Sequence, residues 1–382
     1  MKNLENKRVL IFQQRSWGIT IGSFLARKLQ SEGCVLAALT FKNTTLAKIL
    51  EQEDVQYKRV DSHDEIMSDP LAYLGGERYS LEEICSDLGI DSIWPMVSSL
   101  RNHVRCYKDK YYYSFRQNVS DEEILLYVQA VYKYTKKVFQ EFAPELIISP
   151  NFVSFPHIFI NLYGERRGVD MLAMTDSKVR GFFLLSRSYN DDKGSFYEHL
   201  DKIRAGKTVS SNMNKAKKYI ADFRKEFKAP ISSKIENDGG YIRQLRKVLS
   251  PYYHIFKWYT TKNVNVNKST GITLDYKPPR IILRDHYMSI LYARYMRNRE
   301  CISLDDINKF IYFPLQFQPE ASIDVAAPYF SNQIETVRQV AMSLPNDYTL
   351  VVKEHPNMVG FRPPSYIEKV ARTVNVKLID YR

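Results

Sequence analysis

Cysteine is scarce, with 4 in a chain of 382 residues. Cys34, Cys85, Cys106 and Cys301 lie far apart without a Cys-x-x-Cys pair. That argues against structural zinc and a disulfide framework, and points to a reducing cytoplasm. Long apolar runs are missing too: none reaches the roughly 18 residues needed to span a bilayer. The opening stretch MKNLENKRVLIF carries charge but no long apolar core and no small-residue cleavage site, so it does not read as a secretory signal. Only Gly18 and Gly22 follow the first apolar run, short of the Gly-x-Gly-x-x-Gly dinucleotide fingerprint. There is no P-loop and no Gly-x-Ser-x-Gly elbow. Without Asp-x-Asp or His-x-x-x-His, metal-independent chemistry with no resident cofactor is expected.

What is present is globular: 44% apolar residues, 13% aromatic, and a length that fits two domains. The net charge of +12 is concentrated, since residues 190–270 hold 17 Lys/Arg against 8 Asp/Glu. Such a segment suits nucleic acid, anionic lipid headgroups or an acidic glycan, or simply a solvated face. The bases do not gather into an RNP-type or helix-turn-helix pattern, which disfavours nucleic acid. Within it, IRQLRKVLSPYYHIFKWY mixes bases with aromatics, as interfacial helices do; a helix packed on a domain carries the same stripe.

Apolar periodicity sets the architecture. KRVLIFQQ, CVLAALTF, PELIISP and VDMLAM read as buried strands, and SWGITIG as a glycine-bearing loop. SFLARKLQSEG is a helix stopped by Gly33, and HIFINLYGERRG one closed by Gly168. Ser120 and Glu123 form a capping box ahead of a long amphipathic helix. Residues 62–113 are irregular and end in an aromatic, basic patch, KDKYYYSF. The fold class is therefore α/β. Residues 1–187 form a Rossmann-like unit, 188–275 a basic, mainly helical insertion, and 276–382 the start of a second Rossmann-like unit. There, KFIYFPLQ, DYTLVVKEH and VKLIDYR are strands, with SNQIETVRQVAMSL and SYIEKVARTV as helices. Covering such a sheet takes at least two or three more βα repeats, so the unit is expected to be truncated and to continue past Arg382.

Two loops beyond strands of the second unit carry polar chemistry. FPLQFQPEAS offers Gln316, Gln318, Glu320 and Ser322, groups suited to sugar or ribose hydroxyls, on a loop stiffened by Pro314 and Pro319. KEHP places Lys353, Glu354, His355 and Pro356 at a strand end, where Lys and His can hold a phosphate and His can protonate a leaving one. The bland alternative is a solvated Lys353–Glu354 pair with His355 capping the next turn.

The pairing of IYFPLQFQPEAS and YTLVVKEHP, followed by Arg-x-Pro-x-x-Tyr from Arg362 to Tyr366, resembles the capsule polysaccharide biosynthesis family. The likeness covers residues 309–382. It implies a GT-B glycosyltransferase of two Rossmann-like domains, similar to Kdo transferases that use CMP-activated sugar. On that resemblance Gln318, Pro319, His355 and Pro356 line the nucleotide-sugar site. His355 and Lys353 would meet the donor phosphate, and Glu320 the nucleoside or sugar hydroxyls. Family members continue into a Gly/Ser/Thr-rich loop that this chain lacks.

The first unit should supply the acceptor side and a carboxylate base or nucleophile. Candidates are Asp176 after VDMLAM, then Glu165 and Asp61. Gln14, Arg15, Trp17, Asn151 and His157 follow strand ends and are candidate acceptor contacts. Arg284 to Tyr287, RDHY, follow RIIL and either face the cleft or start a helix. The leading reading is a cytoplasmic glycosyltransferase that moves a sugar, Kdo among the candidates, from a nucleotide donor to a glycan or glycolipid acceptor. Its basic region would touch the inner membrane face, and no nucleic acid partner is expected. The alternatives are a nucleotide-sugar epimerase or polyol-phosphate transferase of related fold, or a non-catalytic glycan or nucleic-acid binder.

Overall fold

The computed structural model describes residues 4–109, 116–177, 179, 181–191, 194–226, 241–261, 268, 270–271 and 277–381. Six strands form the first sheet: β1 (Arg8–Gln13), β2 (Val35–Thr40), β3 (Tyr57–Ser62), β4 (Leu146–Ser149), β5 (Asp170–Asp176) and β6 (Phe183–Ser186). Their order is β3-β2-β1-β4-β5-β6. The first five are parallel and β6 closes the sheet antiparallel to β5. Strand order reverses between β1 and β4, which both start from the middle of the sheet.

The run VLIF in β1 is apolar throughout because both faces are covered. Leu10 and Phe12 point into one cluster with the helices Asp121–Glu141 and Phe155–Glu165. Val9 and Ile11 point the other way, onto Ala26 of the helix Ser23–Ser31. All four are fully buried. Each such side chain contributes about 1.5–3 kcal/mol of burial energy. The capping box of Ser120 and Glu123 opens the long helix as expected, and Gly33 and Gly168 take the left-handed conformation after their helices.

Two expectations are corrected, and one further strand is found. SWGITIG is not a loop: Arg15–Trp17 is helical, Gly18–Gly22 follows as a π-turn, and both run into Ser23–Ser31. Its glycines serve close packing. A Cβ on Gly18 would sit 2.6 Å from the Gln13 backbone, and one on Gly22 2.0 Å from the Gln13 side chain. Residues 57–62 form β3, which its polar composition hides. RIIL and RDHY lie inside one helix, Pro279–Arg297, where Arg284 donates to the carbonyls of Tyr107 and Asp109.

The second sheet has β7 (Phe310–Pro314), β8 (Thr349–Lys353) and β9 (Val376–Ile379), parallel and in that order. Helices Gln333–Met342 and Pro364–Ala371 pack on it through Val337, Ala341, Ile367 and Val370, joined by Tyr292 and Met296. The middle of the chain contributes the helices Phe196–Arg204, Met213–Lys225 and Tyr241–Thr260. No described helix is long and apolar enough to cross a membrane. Most of KDKYYYSF falls outside the described residues.

Candidate functional site

Parallel strands end on the same side, so the loops after them converge. Gln14, Arg15 and Trp17 follow β1, Phe41 and Lys42 follow β2, His63 follows β3, and Asn151 and Ser154 follow β4. All of them line one cavity of about 910 Å³, and Phe317, Pro319, Glu320 and Ser322 after β7 close it from the second sheet. The cleft thus joins the two loop sets that the sequence suggested, one from each unit.

The units meet at several places, and one of them borders the cleft. Asp324, almost wholly buried, accepts from Arg101 Nε at 3.1 Å and from Arg105 Nη2 at 3.0 Å. Ser98 Oγ donates to the Asp324 carbonyl at 2.5 Å, and Val325 packs into the core of the first unit. Burial pushes the Asp324 carboxyl above its ordinary range, and the two guanidiniums oppose that shift.

The KEHP element is built differently from a solvated strand end. Glu354 is 2% exposed and Arg362 0%. Arg362 Nη1 donates to Glu354 Oε1 at 2.6 Å, Tyr292 Oη donates to Oε2 at 2.8 Å, and the His355 backbone N–H donates to Oε1 at 2.6 Å. The solvated Lys353–Glu354 pair is thereby excluded. Arg362 Nη2 also donates to the Gln316 carbonyl at 2.6 Å, so the motif Arg-x-Pro-x-x-Tyr holds up the neighbouring loop. Burial raises the Glu354 carboxyl while Arg362 lowers it.

Gln318 is fully buried. Its amide donates to the Ser331 carbonyl at 2.9 Å, and its Oε1 accepts from Gln333 at 2.6 Å. Gln316 exchanges backbone bonds with the Gln333 side chain, at 2.6 and 3.2 Å. Both glutamines therefore frame the loop, and neither borders the cavity, in contrast to their expected place against the donor. His355 accepts from the Asn357 backbone N–H at 3.1 Å and caps the turn Pro356–Met358. Its ring packs on Phe317, with centroids 5.7 Å apart. Lys353, His355 and Pro356 thus stand behind the cavity wall, with Phe317 between His355 and the cleft. Glu320 and Ser322 border the cleft directly, Ser322 Oγ donating to Glu320 Oε2 at 2.9 Å.

On the first unit, Gln14, Arg15, Trp17 and Asn151 line the cavity as expected. His157 does not. It is fully buried, stacked on Phe41 at 4.9 Å and tilted against Phe12 at 5.0 Å, with Ser154 Oγ 2.6 Å from its Nδ1. Glu165 is exposed at the C-terminal end of the helix Phe155–Glu165, whose N-terminal end borders the cleft. At 1.5 Å per residue it lies about 15 Å away along the axis, which removes it from the chemistry. Asp61 is engaged by Arg59 at 2.5 Å and Tyr134 at 3.2 Å and does not border the cavity. Asp176 ends β5, and its side chain lies outside the described residues.

The inner wall holds residues that the sequence did not suggest. His63, His103 and Tyr127 border the cavity. His63 Nε2 is 2.6 Å from Tyr127 Oη, and the His103 ring lies 4.9 Å from that of Tyr127. Burial pulls His63 down to about 3 and His103 to about 4, and His157 behind them to about 3. All three imidazoles are neutral at ordinary pH. They come from distant positions with no shared spacing, so no motif could have revealed them.

No protein-family model and no curated protein matches the chain. Among solved structures, it is similar to a UDP-GlcNAc 2-epimerase from Neisseria meningitidis bound to UDP-GlcNAc. The identity there is 10%, with a TM-score of 0.25, covering 98% of this chain and 72% of that one. It is also similar to CalG4, the calicheamicin glycosyltransferase, at 11% identity and a TM-score of 0.22, covering 97% and 70%. TM-scores this low do not by themselves establish a common fold.

Proposed function

We propose that this chain is an enzyme that uses a nucleotide sugar: a metal-independent glycosyltransferase of surface polysaccharide synthesis, taking sugar from a CMP-linked donor such as CMP-Kdo. The observation that carries the reading is the cleft itself. It lies beyond the carboxyl ends of β1, β2, β3 and β4 on one side and β7 on the other, where α/β sheets bind ligands. Its volume suits a nucleotide with one sugar ring. Glu320 and Ser322 offer hydroxyl-binding groups on the donor side, and Arg15, Lys42 and Lys277 supply positive charge for a phosphate. Gln14, Trp17 and Asn151 belong to the acceptor side. His355 acts by bracing Phe317, and Lys353 and Pro356 by anchoring the end of β8.

A glycolipid acceptor at a membrane face is part of the same proposal. Every residue of the helix Met213–Lys225 is exposed, including Met213, Tyr219, Ile220 and Phe223 on one stripe. Its charged residues are Lys215, Lys217, Lys218, Arg224 and Lys225 against Asp222, a net +4. That pattern fits the interface of an anionic bilayer.

Calorimetry with CMP, CMP-Kdo, UDP and UDP-N-acetylglucosamine tests the reading. Selective binding of one nucleotide family, weakened about tenfold by Glu320→Ala, is expected. Tight, salt-sensitive binding of random oligonucleotides with no response to any nucleotide sugar would overturn it.

A further inference from the structure

We propose that the inner wall of the cleft, His63, His103 and Asn151 around Tyr127, is a subsite for the hydroxyl-bearing face of a sugar ring. This rests on the nucleotide-sugar reading, which it deepens by naming where the ring lies. The ring belongs either to the donor or to the acceptor, and the chemistry of recognition is the same.

The first support is unspent hydrogen-bonding capacity. His103 is fully buried, yet neither of its ring nitrogens has a partner. His63 Nδ1 and Asn151 Oδ1 are likewise buried and unpartnered. Each such atom carries a desolvation cost that nothing in the folded chain repays. Unpartnered buried atoms occur elsewhere in the molecule too, but these border a cavity, where a ligand that satisfies them recovers the cost.

The second support is the uncharged character of His63, His103 and Asn151 themselves; Arg101 and Arg105, which line the same cavity, are engaged by Asp324. Neutral imidazoles and an amide bind hydroxyls and carbonyls, and give no ion pair to a phosphate. Tyr127, buried in an apolar setting, keeps its proton and shares one hydrogen bond with His63 Nε2, which leaves Nδ1 as the ring nitrogen with capacity to spare. His103 offers one donor and one acceptor, a match for a pair of neighbouring hydroxyls. Third, Phe41, Tyr127 and Phe155 border the same space and give the wall an apolar, aromatic backing.

The test pairs sugar-bearing with sugarless ligands. Binding of CMP and CMP-Kdo, and of UDP and UDP-N-acetylglucosamine, is measured for the wild type, His103→Phe and His103→Asn. In parallel, histidine 15N resonances are followed while free N-acetylglucosamine or Kdo is added. If the donor ring occupies the subsite, His103→Phe weakens the nucleotide sugar about tenfold and leaves the nucleotide unchanged, while His103→Asn retains most of the affinity. If the acceptor ring occupies it, nucleotide-sugar affinity is unchanged, and the free sugar shifts the His63 and His103 resonances. Failure of every nucleotide to bind, with that sugar-induced shift intact, would defeat the donor reading and leave the subsite standing. The proposal is overturned if folded His103→Phe alters no ligand and no sugar moves either resonance.

Discussion

Replacing Arg362 with leucine isolates the buried pair beneath the KEHP element. The guanidinium leaves Glu354, and the carboxylate stays enclosed with only Tyr292 and the His355 amide as partners. Breaking a buried pair from one side costs about 3–5 kcal/mol. With a guanidinium slope of about 3 kcal/mol per molar, that moves the unfolding midpoint down by roughly 1–2 M. The pH dependence sharpens the test. Glu354 is already raised by burial, and losing Arg362 removes the largest influence that holds it down. A carboxyl raised in the folded state contributes stability below its unfolded value and loses it as pH rises through the folded one. The deficit of Arg362→Leu is therefore larger at pH 8 than at pH 5. Adding Glu354→Gln should recover most of it, because the neutral amide no longer needs a cation. Equilibrium unfolding of the wild type, both single variants and the double variant at the two pH values completes the cycle. A deficit under about 1 kcal/mol, or one that grows on acidification, would refute the reasoning.

Asp324→Asn leaves two guanidiniums facing an uncharged amide and should cost about 2–3 kcal/mol by denaturant titration, with Arg101→Ala adding little on top. Acid should destabilise the chain through its neutral histidines: their folded values are depressed, so stability is full above pH 6.5 and falls as pH drops toward 3. One such histidine accounts for about 2 kcal/mol at pH 5, and His157→Phe should lower the acid midpoint followed by tryptophan fluorescence. Flotation with vesicles holding an anionic lipid should recover the wild type at low salt and lose Ile220→Asp/Phe223→Asp, while purely zwitterionic vesicles recover neither.

The buried strands were legible because a covered parallel strand needs an unbroken apolar run, as in VLIF and LVV. Strand β3 was not, since YKRVDS stands at the sheet edge and only Ser62 is fully buried. The helical turn at Gly18–Gly22 was hidden because glycine signals a loop when read alone, and only the approach of Gln13 explains it. At the cleft, loops after strands could be inferred from topology, which is why Gln14, Arg15, Trp17, Asn151, Glu320 and Ser322 fall together. Local polarity could not separate a residue facing the cleft from one bracing it. Gln316 and Gln318 look like ligand groups in the sequence, and tertiary partners engage both. His63, His103 and Tyr127 meet only through the arrangement of the sheet.

On the proposed function, the junction at Asp324 would bear on turnover. A cleft that encloses its ligand must part its walls to let product go, and such opening is often slower than the chemical step. Here one carboxylate between two arginines fastens the walls, a contact of short range and high directional demand. Weakening it by a single point charge would shorten the residence of the product without touching any group that contacts the sugar. On that reading, release and bond formation would be lodged in separate residues, and each could be tuned while the other is left alone.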